Sequence, residues 1–232
     1  NGEDGVNMYA HFGRVYEKDD IDRAIEADNN GGNPYSYVAQ RDTIGHGTLL
    51  ASISAGSYVN GYVGVAPKSE LLVVKLKESK QYLKDFFLIK DDVPAFEEGD
   101  IMLAMRFLAD YAVRLGKPLI IIFGLGSANG SRTGAAPLAE MMESLTKRPN
   151  ISVVTCMGNE ANNKCHYKGT VTSALVPDVM EVNVDGTGKG FTMEIWAESL
   201  DILSVSIESP SGEFVPRIPA RMGASMEYTF LY

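Results

Sequence analysis

The chain runs to 232 residues, 45% of them hydrophobic and 22% charged, enough to bury a substantial core made of one domain plus a fragment of another. A net charge of −9 argues against a nucleic-acid surface, and no apolar run approaches the length of a membrane span. Two cysteines, Cys156 and Cys165, are too few for a disulfide framework, and the three histidines lack metal-site spacing.

Residues 1–41 read as a lead-in region. Lys18 to Ala27 places Ile21, Ala24 and Ile25 at helical spacing, and Asn29-Asn30-Gly31-Gly32-Asn33-Pro34 breaks that helix. His11, within Tyr9-Ala10-His11-Phe12-Gly13, reads as structural. Asp42-Thr43-Ile44-Gly45-His46-Gly47-Thr48 then sets an imidazole between two glycines at the start of a helix. That helix runs through Leu49, Leu50, Ile53 and Ser54 and stops at Gly56. Thr48 is expected to cap free N–H groups of the first turn, and the glycines let another chain approach the ring. Asp42 reads as a loop acid or helix-start residue.

Gly64-Val65-Ala66-Pro67 is a turn feeding an apolar strand, Leu71 to Leu76. Lys75, Lys77, Lys80 and Lys84 read as a solvated face. A helix from a cap near Asp100 carries Ile101, Ala104, Met105, Leu108, Ala112 and Leu115 and stops at Gly116-Lys117-Pro118. Its methionines, Met102 and Met105, read as packing residues only. Pro118 to Phe123 suits a strand buried on both faces and ends in Gly124-Leu125-Gly126-Ser127. A helix from Pro137 to Lys147 leads to a further strand, Ile151 to Thr155, and the turn Gly158-Asn159-Glu160. Helices alternating with apolar strands over 42–178 predict an α/β fold with a doubly wound, mostly parallel sheet.

After Pro177 the period changes. Val182 and Val184, then Phe191, Met193 and Ile195, then Leu203, Val205 and Ile207 alternate with polar residues. Asp185-Gly186-Thr187-Gly188 and Ser209-Pro210-Ser211-Gly212 punctuate them as turns. Strands without intervening helices predict the start of a second, all-β module over 179–232, with Trp196 in its core.

The segment around His46, with its His-Gly-Thr followed by a small-residue helix, resembles the histidine motif of subtilisin-like serine peptidases, the subtilase family. The resemblance extends in order through Gly64 to Leu76, through Gly124-Leu125-Gly126, and through Ile151 to Glu160. Gly124 stands where the family more often has a serine, and Cys156 and Met157 where it more often has alanines. Phe191 to Trp196 and Ile207 to Glu213 resemble the jelly-roll insert of clostridial-type subtilases.

The resemblance implies a serine endopeptidase in which His46 is the general base and Asn159 the oxyanion donor. Gly158 would let the backbone come close, and Gly124, Leu125 and Gly126 would pair an extended peptide or protein substrate. Read without the family, Asn159 is equally an Asx-turn residue after a strand, and the glycines punctuate a strand end. The family's strand-end Asp and its Gly-Thr-Ser nucleophile do not occur in the chain. Ser173 lacks the preceding Gly-Thr, and His166 beside Cys165 reads as loop chemistry. A chain that starts at Asn1 and stops at Tyr232 is therefore expected to be an internal fragment, completed by N- and C-terminal parts of the same peptidase. The competing expectation is a catalytically silent, peptide-binding subtilase-like module. A nucleotide-binding reading of Gly124-Leu125-Gly126 and Gly130 fails because no Gly-Lys-Ser/Thr follows. No cofactor is expected beyond the structural calcium some relatives carry, and the resemblance implies a secreted, cell-surface or spore-associated setting.

Overall fold

The computed structural model describes residues 13–184, 186, 188–198, 200–219 and 221–231. His11, Asp185 and Thr187 lie outside the described residues. Five helices and four strands are named in chain order: α1 (Lys18–Asn29), α2 (His46–Ala55), α3 (Gln81–Phe86), α4 (Glu98–Leu115), β1 (Leu119–Phe123), α5 (Pro137–Thr146), β2 (Ile151–Thr155), β3 (Ser204–Glu208) and β4 (Phe214–Pro219).

The core forms where helix and strand periods meet. On α4, Ile101, Met105 and Ala109 recur every fourth residue and are buried, with Ala112 on the same stripe. They pack on Ile121 of β1, Ile151 of β2 and Leu145 of α5, with Leu138, Met141 and Val153 around them. Each buried Met, Ile or Leu contributes about 1.5–3 kcal/mol relative to exposure. Gly116 ends α4 in the left-handed conformation, φ 63°, so Lys117 and Pro118 can turn the chain into β1. β1 and β2 pair in parallel, Leu119 opposite Ile151 and Phe123 opposite Thr155, with α5 in the connection between them. The strands therefore run the same way and end side by side.

The fold is α/β, with this parallel sheet and a separate antiparallel one. In the antiparallel sheet, β3 pairs with β4 across a bulge between Val205 and Ile207, and Val215 is buried. The expected turn lies between them: Gly212 has φ 85°, its N–H donates to the Ser209 carbonyl, and Ser209 N donates to the Glu213 carbonyl. No helix interrupts the described residues between Val179 and Ile207.

Five expectations need correction. β1 is buried on one face only: Ile121 is buried, while Ile120 and Ile122 on the other face are exposed. Leu71–Leu76 pairs with no strand among the described residues; Leu71 and Val73 are exposed, and only Leu76 packs against the core. The Val182–Val184 and Phe191–Ile195 runs likewise form no strand among the described residues, and their apolar side chains remain exposed. An alternating pattern becomes a strand only when a partner accepts its hydrogen bonds. Trp196 is 51% exposed instead of buried in a core. Lys84 is only 4% exposed, because it folds under α3 to an ion pair with Glu78 at 2.6 Å and a bond to the Asp91 carbonyl. A buried ammonium needs such partners.

Candidate active site

The turn before α2 is built around Asp42. One carboxylate oxygen accepts N–H bonds from Ile44 and Gly45 at 3.0 and 2.7 Å, and the other accepts from Thr48 N at 2.9 Å and Thr48 Oγ1 at 2.7 Å. The helix-start reading of Asp42 therefore fits, while the cap expected of Thr48 belongs to Asp42: Thr48 gives its hydroxyl away and Asp42 takes the first-turn N–H. The Thr48 hydroxyl, then the backbone amides, hold the Asp42 carboxyl well below the usual carboxylate range. Gly45 takes φ 83° at the cap, which leaves His46 as the first residue of α2. At the other end, Val65 N and Ala66 N donate to the carbonyls of Ile53 and Ser54, so the Gly64 turn closes the last turn of the helix. Gly64 is obligatory there, since a Cβ would lie 2.4 Å from Gly56 N.

This arrangement sets His46 against the end of β1. A Cβ added at Gly124 would lie 3.4 Å from His46 Cε1 and 2.3 Å from Leu50 Cδ1. The missing side chain at 124 is thus matched by Leu50, one helical turn beyond His46. Gly126, two residues on, faces open space. β2, the parallel neighbour of β1, ends level with it and continues through Cys156 and Met157 to Gly158, φ 79°, and Asn159. Asn159 starts a short 3-10 turn, Glu160–Asn162, and its side-chain oxygen makes no cap bond to that turn. His46 and Asn159 are both exposed. His46 and Gly124 therefore meet at the carboxyl end of β1, and Gly158-Asn159 follows the carboxyl end of its parallel neighbour β2, the end of an open α/β sheet at which ligands bind.

Other candidates fall elsewhere. Ser173 sits in a tight turn, bridged to Val176, with its hydroxyl accepting from Leu175 N; it is not on a helix. Cys165 donates to the Asn163 carbonyl, and both cysteines are exposed. Among the described residues no three His, Cys, Asp or Glu side chains group as a metal site, and no helix is long and apolar enough to cross a membrane. Sequence reasoning missed Leu50 as the partner of Gly124; a leucine four residues after the histidine, with glycine replacing the expected serine, was the available signal.

The solved structure of the Clostridium perfringens CspB protease is similar to this chain, with a TM-score of 0.70 and 25% identity over 90% of this chain and 42% of that one. The chain thus spans less than half the length of that protein. No curated protein matches it. The subtilase family model matches residues 4–187, a stretch that includes α1, α2 and both parallel strands with their exits: the chain belongs to the subtilase family.

Proposed function

We propose that this chain carries the histidine and oxyanion side of a subtilisin-type serine endopeptidase. The observation that carries the reading is the approach of Gly124 to the His46 ring at the end of β1, beside the Gly158-Asn159 exit of β2. In the proposed reaction a serine hydroxyl attacks the peptide carbonyl while His46 accepts its proton. His46 then returns that proton to the leaving amine, and water repeats the cycle on the acyl-enzyme. Asn159 donates its side-chain amide to the developing oxyanion. Gly124 to Gly126 offer backbone groups to an extended peptide.

The serine, and the acid that orients the ring, are proposed to come from sequence outside these 232 residues, consistent with the 42% share of the CspB protease that the chain spans. Asp42 does not take the acid's role, because both of its oxygens are occupied by the α2 turn. Residues 1–41 and 42–178 would then form the peptidase unit, with 179–232 part of an inserted β-sandwich.

The occupation of Asp42 also supports a second reading, a silent peptide-binding subtilase-like module, if no other acid reaches the ring. The two separate by labelling with a serine-directed fluorophosphonate. The 232-residue chain alone should neither label nor cleave peptides. A longer form with upstream Asp and downstream Ser motifs should do both. In it, His46→Ala should lower kcat/KM by at least about 10³-fold, and Asn159→Ala kcat by about 10²–10³-fold. An intact longer form that never labels would select the silent module.

A further inference from the structure

The loop that follows the substrate-pairing glycines is held from a distance. Its own bonds are local: Asn129 N donates to Ser127 Oγ at 3.1 Å, Thr133 N donates to Ser131 Oγ at 3.2 Å, and Arg132 donates to the Ala128 carbonyl. The Gly130 N–H, aimed by a left-handed φ of 94°, instead donates to Glu194 Oε2 at 2.9 Å, across 64 positions of sequence. The same oxygen accepts the Trp196 indole N–H at 3.0 Å. The Gly130 amide, then the indole, and more weakly the Arg132 charge, hold the Glu194 carboxyl below its ordinary range, so it stays anionic at neutral pH.

The segment bearing Glu194 has its own anchor. The Lys189 ammonium bridges Asp85 and Asp91 at 2.9 and 2.8 Å, and Gln81 donates to the same two carboxylates. Gly190 lies against Leu88, where a Cβ would come within 3.1 Å of Leu88 Cδ1. Residues 188–196 therefore form a strap, fixed to α3 and the chain after it at one end and reaching the loop with Glu194 at the other.

We infer that Glu194 is a positioning residue for the peptide substrate: through Gly130 it sets the loop running on from Gly124-Leu125-Gly126, and with it the wall beside the bound peptide. The inference rests on the proposed pairing of an extended peptide with those glycines. A charge-assisted bond to a backbone amide fixes a loop without occupying the reacting centre, so its loss weakens peptide binding more than it slows chemistry.

Two measurements test this. Hydrogen–deuterium exchange of the 232-residue chain reads the 124–134 segment directly. Glu194→Ala should speed exchange there by about tenfold while α4 is unchanged, and Glu194→Gln, which keeps an acceptor, should restore most of the protection. In a longer, active form Glu194→Ala should raise KM for an extended peptide about fivefold with kcat within about twofold. Unchanged exchange in Glu194→Ala overturns the inference, as does an equal fall in kcat with KM constant. If the longer form cleaves nothing, the peptidase reading fails, and the exchange result still decides whether Glu194 positions the loop.

Discussion

The α4–β1–α5–β2 unit and the 179–231 segment are both rich in apolar residues and end in different states. In the first, Ile121 and Ile151 find a paired strand and a helix stripe, and the apolar side chains on that face are buried. In the second, Val182, Val184, Phe191 and Ile195 alternate with polar residues yet stay exposed, and only β3 and β4 pair among the described residues. The lesson is that alternation specifies a face, while burial depends on a partner that the local sequence does not contain.

The sharpest way to break this comparison is a cavity in the packed unit. Met105→Ala should destabilise the chain by about 2–5 kcal/mol in urea unfolding, since Met105 is 2% exposed between the sheet and α5. Less costly is Gly124→Ala, which should destabilise by about 1–3 kcal/mol by forcing Leu50 aside. Adding Leu50→Ala should recover part of that loss, and a double-mutant cycle reporting no coupling would remove the Leu50–Gly124 match. Smallest is Val182→Ala, expected within about 0.5 kcal/mol of wild type because its side chain has little to lose. A large effect there would mean that the 179–231 segment packs more tightly than its exposure indicates.

How much of this was legible beforehand follows from the range of each interaction. Helix α2 could be bounded from Gly45 and Gly56, and α4 from its four-residue stripe and Gly116, because caps and stripes are local signals. The apolar runs of β1 and β2 were equally plain, and the α/β class with a separate antiparallel sheet followed from the change of period after Pro177. Lys84 was misread as solvated because Glu78 and the Asp91 carbonyl meet it only once α3 has formed. Leu71–Leu76 has strand chemistry, but among the described residues no strand pairs with it. At the site, the residue types of His46 and Asn159 could be named from their glycine settings, but the approach of Gly124 to His46 joins positions 78 residues apart (124 − 46) and exists only in three dimensions. The Glu194–Gly130 bond is still less readable, since it joins a loop amide to a carboxylate 64 positions on and neither carries a local signal of the other.

The parallel pair has a further consequence, and it is colloidal. A two-stranded sheet has two outer edges, neither paired with another named strand among the described residues, and its strands carry Ile120, Ile122 and Val154 exposed. Such edges template strand addition between molecules, and the force that opposes it is the mutual repulsion of chains bearing a net charge of −9. That repulsion reaches only about 8 Å at physiological ionic strength and about 3 Å in molar salt. Salt, ordinarily a neutral ingredient of a buffer, is therefore expected to control self-association of the 232-residue chain: light scattering should show more association in molar salt than in dilute buffer.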